Sequence, residues 1–389
     1  MTLAHRIRLV PSADQEAYFR KACGVARFAY NWALAEWQRQ HAASKHPNEI
    51  AMRRSLNAVK HEQFPWMREV TKNAPQQAIK NLGRAYANFF AKRSKYPLFK
   101  KKGKSRDAFR ADNGCDTRHP DAVLVDGKRA KLPVIGWVKM REEVRFAGQI
   151  VSVTISREAD AWHASFTVEV PEEPAAHVLT NTVGVDLGVS ALATRSDGSP
   201  KTLAPKPLRR YLKKLKRLAR ALSRKQRGSA NRVKAKTTLA RLHARIGHIR
   251  HDALHKLTTD LARNAATIVI EDLNVVGMLA NRKLSRAIAD LGFFEFRRQL
   301  EYKNAMAGGA LIVADRWYPS SKLCSACNVK NALLTLSERT WTCVSCGASH
   351  DRDVNAAVNL ARYPESWAGS ACGAEGAGGG SHPAAKPAA

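Results

Sequence analysis

The sequence predicts an α/β multidomain chain. Three observations lead to that class. Helical periodicity rich in aromatics fills residues 14–92, and period-2 patterning fills 122–170. From residue 182 onward, buried-strand runs alternate with long helices around two C-x-x-C motifs. With 389 residues the chain has room for two or three domains, and 44% hydrophobic residues suffice for their cores.

Taken in order, residues 3–10 (LAHRIRLV) predict a strand that Pro11 and Ser12 end. Helices are expected over 14–42, 49–63 and 73–92, with Tyr18, Phe19, Phe28, Tyr30, Trp32 and Trp37 as a core stripe rather than a stacking surface. Residues 92–110 carry nine Lys/Arg and one Asp, with Tyr96, Phe99 and Phe109 interleaved. Aromatics beside phosphate-neutralising cations are how single-stranded nucleic acid is held, so Tyr96, Lys100, Lys101 and Lys102 are candidate contacts. Between 122 and 170, short strands around an Asp-Gly turn predict a small β-barrel. The barrel is assigned 1–10 and 105–175, the helical domain inserted in it 11–104, and Pro171 and Pro174 mark a linker.

Residues 182–203 predict a meander of three strands, and 266–273 and 309–317 two more buried strands. Residues 201–250 hold eighteen Lys/Arg and no Asp or Glu. Leucines and isoleucines recur there at helical spacing, with a break at Gly228–Asn231. This predicts a helical hairpin within 206–262, one apolar edge packed and its cationic faces exposed; Arg209, Arg210, Lys213, Lys216, Arg217 and Arg224 are its candidate nucleic-acid contacts. Helices are expected at 285–307 and 352–362. The Gly/Ala/Pro/Ser-rich tail, 363–389, is expected to be disordered.

The charge narrows the function classes. With 65 Lys+Arg against 33 Asp+Glu, the formal net charge is +32. A polyanion is the expected partner, bound through counterion release, with an anionic membrane surface the weaker alternative. No apolar run approaches a membrane span and no signal-peptide core is evident, so a cytoplasmic protein is expected. Seven unevenly spaced cysteines do not form a disulfide framework. Four of them, Cys324-x2-Cys327-x15-Cys343-x2-Cys346, have the spacing of two knuckles that close a tetrahedral S4 site, a ribbon at 323–347 with one structural zinc. Asn328 and Gly347 follow the knuckles and tolerate the left-handed backbone such turns need. Cys23, Cys115 and Cys372 have no spaced partner.

Three carboxylates end up where a shared cleft is expected. Asp186 ends one apolar strand, Glu271 ends another, and Asp353 opens the helix after the ribbon. A carboxylate at a buried strand end needs pairing, solvation or a metal. Three together can hold two Mg²⁺ or Mn²⁺ ions for phosphodiester hydrolysis. Asp272 and Asp351 compete as neighbours, and His350 is either an auxiliary ligand or a hydrogen-bonding residue beside the cysteines. The order strand Asp, strand Glu, helix Asp, after a meander, suits an RNase H-like domain over 180–322 and 348–362; a final Asp rather than Glu argues against a DDE transposase.

The sequence resembles the transposon-encoded TnpB (OrfB) family, ancestor-like to type V CRISPR effectors. The resemblance lies in GVDLGV around Asp186, IVIEDLNVVGM around Glu271, DRWYPSSKLCSAC at 315–327 and WTCVSCGASHDRDVNAAVNLA at 341–361, and more weakly in 5–37 and 132–170. It implies a metal-dependent, RNA-guided DNA endonuclease with a RuvC-like domain, a β-barrel wedge domain and a helical recognition domain. Its implied partners are a guide RNA from the transposon end and double-stranded target DNA beside a short motif, acting at the nucleoid. The implied catalytic residues are Asp186, Glu271 and Asp353. Lys72, Gln76 and Gln77 lie in the stretch resembling the motif reader. Guide pairing would leave the protein to supply a cationic channel. Asn328 departs from the family's usual Gly, and 111–121 from its usual continuation.

Three other readings compete: a transposase or accessory protein acting on DNA ends, a non-cleaving RNA-guided repressor, and a ribbon-bearing RNA-binding protein. The second predicts a damaged triad, and all three acids are present; the third leaves them unaccounted for. Monomer and dimer are both open.

Overall fold

The structure is a computed structural model and describes residues 1–113, 122–171, 179–335 and 337–371. It divides into two compact units, 1–173 with 236–241, and 174–235 with 242–389.

In the first unit, strand β1 (Thr2–Val10) buries His5, Ile7 and Leu9 and exposes the residues between them, the period of a half-buried strand. Ser12 then caps helix α1 (Ala13–Ala42) with a capping box. Its hydroxyl accepts the Gln15 N–H at 3.3 Å, and Gln15 Oε1 accepts the Ser12 N–H at 3.0 Å. Asn48 caps α2 (Glu49–Gln63), and α3 (Asn73–Phe90) follows a short 3-10 turn at Pro65–Glu69. The aromatic stripe is core, as expected. Phe19, Tyr30 and Trp37 are buried, Trp37 stacks on Tyr86 with centroids 4.3 Å apart, and Tyr18, Phe28 and Trp32 pack against them.

Strands β2 (Ala108–Asp112), β3 (Leu124–Asp126), β4 (Arg129–Leu132), β5 (Gly136–Met140), β6 (Gln149–Glu158) and β7 (Ala161–Glu169) join β1 in one seven-stranded antiparallel sheet, order β2-β6-β7-β1-β5-β4-β3. Among the described residues its edges β2 and β3 share no ladder. They are tied instead by Asn113, which donates to the carbonyls of Val123 and Ile150, both at 2.8 Å, and accepts the Val123 N–H. One expectation fails here: Phe109 in β2 is buried against Tyr18 and Phe19 and is not free to stack on a base. Most of 111–121, including Cys115, lies outside the described residues.

In the second unit, β8 (Thr182–Asp186) is followed by β9 (Thr194–Arg195), and Ala193 bridges to Thr202, so the expected third meander strand is a single bridge. The helical hairpin is present as α4 (Pro207–Ser223) and α5 (Ala230–Asn264), of which residues 236–241 count with the first unit. Then come β10 (Thr267–Glu271), α6 (Val275–Ala280), α7 (Ser285–Leu291), α8 (Phe293–Met306), β11 (Ala310–Ala314), the paired β12 (Thr340–Thr342) and β13 (Ser349–Asp351), and α9 (Arg352–Ala371). The helix expected at 285–307 is two helices, because Gly292 between them takes φ +74. The last helix continues past 362 to Ala371, so the tail expected to be disordered from 363 begins as helix; 372–389, with Cys372, lie outside the described residues.

The main sheet has the order β11-β10-β8-β9. β8, β10 and β11 are parallel, and β9 is antiparallel to β8. Both faces are covered, as parallel strands require. Val183, Val185, Ile268 and Ile270 pack with Leu257 and Leu261 of α5 and Phe296 and Leu300 of α8. On the other face, Val269 and Ala314 pack with Leu360 and Tyr363 of α9. Among the described residues no helix is long and apolar enough to cross a membrane.

Candidate active site and metal centre

Parallel strands end together, so residues closing β8 and β10 become neighbours. The register pairs Ile270 with Val185, which puts Glu271 and Asp186 at the same strand ends. Asp353 is brought to them by helix α9, and Gly184 makes that possible. A Cβ at Gly184 would run into the Ala357 carbonyl and the Ala361 N–H of α9, so only glycine lets the helix backbone lie on the strand. Asp353, one turn before Ala357, thereby comes near enough for its charge to act on Asp186.

The electrostatics follow from this placement. The Asp186 carboxyl is held well above the usual carboxylate range. Burial is the main cause, followed by the neighbouring Glu271 charge, a hydrogen bond shared with Glu271, and the Asp353 charge; Arg352 opposes them. A divalent cation would offset both the burial and the mutual repulsion of these carboxylates, and oxygen donors of this kind suit a hard ion. The three are spread more widely than the four cysteines, whose ligand atoms form the one cluster of metal-ligating side chains as tight as 4.8 Å among the described residues.

The competing neighbours have other partners. Asp272 pairs with Arg297 at 3.1 Å and with Arg316. Asp351 caps α9 by accepting the N–H of Asp353 at 3.0 Å and of Val354 at 3.1 Å. Lys201, which sequence reasoning missed, donates to both Asp351 oxygens at 2.8 and 2.9 Å and to Asp353 Oδ2 at 3.0 Å. Arg339 lies 3.5 Å from Asp353 Oδ1. Lys201 carried no local signal; its role depends on where the loop after β9 runs.

In the ribbon, both knuckles have one geometry. Asn328 N–H reaches the Cys324 carbonyl at 2.8 Å, and Gly347 N–H reaches the Cys343 carbonyl at 2.9 Å; the two residues have φ of +61 and +73. The left-handed turns expected at both positions are there, and Asn328 adopts one without being glycine. Backbone N–H groups of Cys346 and Ser345 pull the Cys343 thiol down to about 6. At Cys346 the Ala348 N–H is outweighed by the crowding thiols, which push it up to about 12, so without a cation the four cannot all be thiolates. His350 lies against the cysteines. Its Nε2 lies 3.1 Å from Cys324 Sγ and its ring packs on Trp341, the hydrogen-bonding alternative.

The cationic candidates divide. Arg209, Arg210, Lys213, Lys216, Arg217 and Arg224 on the α4 arm are exposed, and none forms an ion pair with the described residues. The arm is anchored by buried Asp290, which accepts the Leu208 N–H at 2.9 Å and the Arg209 N–H at 3.0 Å. In the first unit, Lys101 and Lys102 are exposed, and Lys72 and Gln76 line a cleft with Arg53, Asn57 and Lys60 between α2 and α3. Two expected contacts are turned inward, and a third is tied at its tip. Gln77 is buried and donates to Asp112. Lys100 lies 3.9 Å over the Tyr30 ring, with burial lowering its affinity for a proton and Arg27 adding to the effect. The Tyr96 hydroxyl is 3.0 Å from that of Tyr86, though its ring stays accessible.

Comparison with known proteins matches three parts of the chain to family profiles. These are OrfB_IS605, "Probable transposase", over 165–282, a Cas12f1-like TNB domain over 293–360, and a helix-turn-helix domain of the OrfB_IS605 group over 1–46. The last region holds one strand and one long helix here. A Streptomyces pristinaespiralis protein named "Putative RNA-guided DNA endonuclease" is 41% identical over 95% of this chain and 90% of its own length. Escherichia coli K12 "Putative RNA-guided DNA endonuclease InsQ" is 36% identical over 92% and 91%. The fold is like that of Cas12f1 in its complex with sgRNA and target DNA, with TM-score 0.57, 15% identity, and coverage of 93% of this chain and 98% of that one.

Proposed function

The chain belongs to the transposon-encoded TnpB (OrfB) family, and from that membership and the geometry above we propose that it is an RNA-guided DNA endonuclease that cuts at Asp186, Glu271 and Asp353. The observation that carries the site assignment is the convergence of these three acids from β8, β10 and α9 on one sheet end. The strand order β11-β10-β8-β9, with β9 reversed, supports an RNase H-like (RuvC) reading of this unit, and the seven-stranded sheet a barrel-like wedge.

The three carboxylates would hold two Mg²⁺ or Mn²⁺ ions, which when bound supply an activated water and stabilise the leaving oxygen of the phosphodiester. The protein's part is to keep Asp186 and Glu271 side by side in a place where water competes poorly, and to bring Asp353 to them on a helix packed tightly against the sheet. Asp351 and Lys201 fix the start of that helix. The four cysteines form a closed S4 set, so zinc there is structural. Exposed cations on α4, with Lys101 and Lys102, would hold guide and target phosphates, and Lys72 with Gln76 would face the motif beside the target. A guide RNA fits a protein whose α4 cations have no acidic partner among the described residues, and its origin at the transposon end is inferred from the family resemblance alone.

The test is cleavage of a plasmid matching the co-purified guide, by wild type and Asp186→Ala. Cutting by the first alone supports the assignment. Guide-dependent cutting by both removes Asp186 from the site.

A further inference from the structure

Lys201 lies outside every motif that marks the site, in the stretch between β9 and α4, yet its ammonium makes three short contacts there. It is 2.8 and 2.9 Å from the two oxygens of Asp351 and 3.0 Å from Asp353 Oδ2. Its side chain is about two-thirds covered, at 34% exposure. Asp351 is itself immobilised, because it caps α9 through two backbone N–H groups. The ammonium is therefore fixed by a residue outside the Asp186, Glu271 and Asp353 trio, and it reaches across to a member of that trio. The other cation near Asp353 differs in kind: Arg339 is 63% exposed and lies 3.5 Å from Oδ1. One oxygen of Asp353 is held by a pinned donor, and the other faces a loosely placed one.

We propose that Lys201 is a positioning residue of the nuclease centre: clamped by Asp351, it holds Asp353 Oδ2 and so leaves Oδ1 as the oxygen that would serve a divalent ion. This rests on the assignment of Asp353 to the metal site. A hydrogen-bond donor behind a ligating carboxylate fixes its rotamer and so raises the affinity of the site. An ammonium placed only as a competing counterion would do the opposite, since removing it would leave the carboxylate more available. The two roles predict opposite signs.

The experiment is Mn²⁺ binding to the full chain freed of nucleic acid, read from the loss of the free-ion EPR signal, for wild type, Asp186→Ala, Lys201→Met and Lys201→Arg. Zinc content and thermal unfolding of each variant check that the fold is kept. Lys201→Met is expected to weaken Mn²⁺ binding by about ten-fold or more. Lys201→Arg, able to bridge the same two carboxylates, is expected to recover most of it. Asp186→Ala is expected to lose the binding. Wild-type or tighter binding by Lys201→Met, with Asp186→Ala defective, overturns the positioning role alone. Wild-type binding by Asp186→Ala overturns the acidic metal site and this inference with it. If Lys201→Met loses zinc or unfolds, then Lys201→Arg decides: failure of that folded variant to bind better than Asp186→Ala also overturns the role.

Discussion

Asp186 is a residue whose surroundings work against its charge. Burial and the Glu271 and Asp353 carboxylates favour its protonated form. The folded state therefore binds a proton more tightly here than the unfolded chain does. That stability is present below the ordinary carboxylate range and is lost as pH rises toward the raised value. Without added divalent ion, Asp186→Asn is expected to raise the melting temperature at neutral pH, with the gain vanishing near pH 4; calorimetry across that range checks it. The same substitution should lower guided cleavage on the order of 10³-fold or more. At the ribbon, Asn328→Gly should keep the metal, while Asn328→Val, forced to φ near +61, should cost about 1–2 kcal/mol and lower metal retention. Cys343→Ser should lose metal and destabilise the ribbon; zinc content measures both. These residues were legible in the sequence because strand ends, C-x-x-C spacing and left-handed turn residues are local signals. Lys201, Arg339 and Arg352 were not, since nothing local says which cation folds back onto an acid.

Helix α9 shows where an element depends on a residue far from it in sequence. Gly184 leaves no side chain between β8 and α9, so Gly184→Ala should push the helix away. The expected cost is about 1–3 kcal/mol of stability and a larger loss of cleavage, because Asp353 moves with the helix. Circular dichroism melts and cutting assays separate the two. Most elements were readable from periodicity, among them β1, α1, the basic hairpin and the buried strands. The failures have physical causes. The helix expected at 285–307 breaks at Gly292, a residue a helix tolerates when no turn is needed. Helix α9 runs on beyond 362 through Pro364. Gln77, Lys100 and Phe109 looked available because sequence shows charge and aromaticity but not the Asp112, Tyr30 and Phe19 that engage them.

Across the whole molecule the governing quantity is charge. A chain at +32, with a cationic arm that has no acidic partner among the described residues, is built to meet phosphate. If six to ten phosphates are held, RNA affinity should fall by roughly 10³–10⁵ between about 50 and 200 mM salt; filter binding across a salt series reads the slope. Neutralising Lys213, Lys216 and Arg217 together should flatten that slope while leaving the acidic centre and the ribbon untouched. Blocks of different periodicity were visible in the sequence, but sheet order was not, because pairing partners are set by tertiary contact.

The most direct test of guided cleavage is sequencing of the RNA that co-purifies with the full chain expressed with its native flanking DNA. The account predicts a discrete species whose last segment matches DNA outside the element and directs cutting of a matching target. A heterogeneous pool of cellular RNA, with the acidic centre intact and no guide-dependent cut, would contradict it.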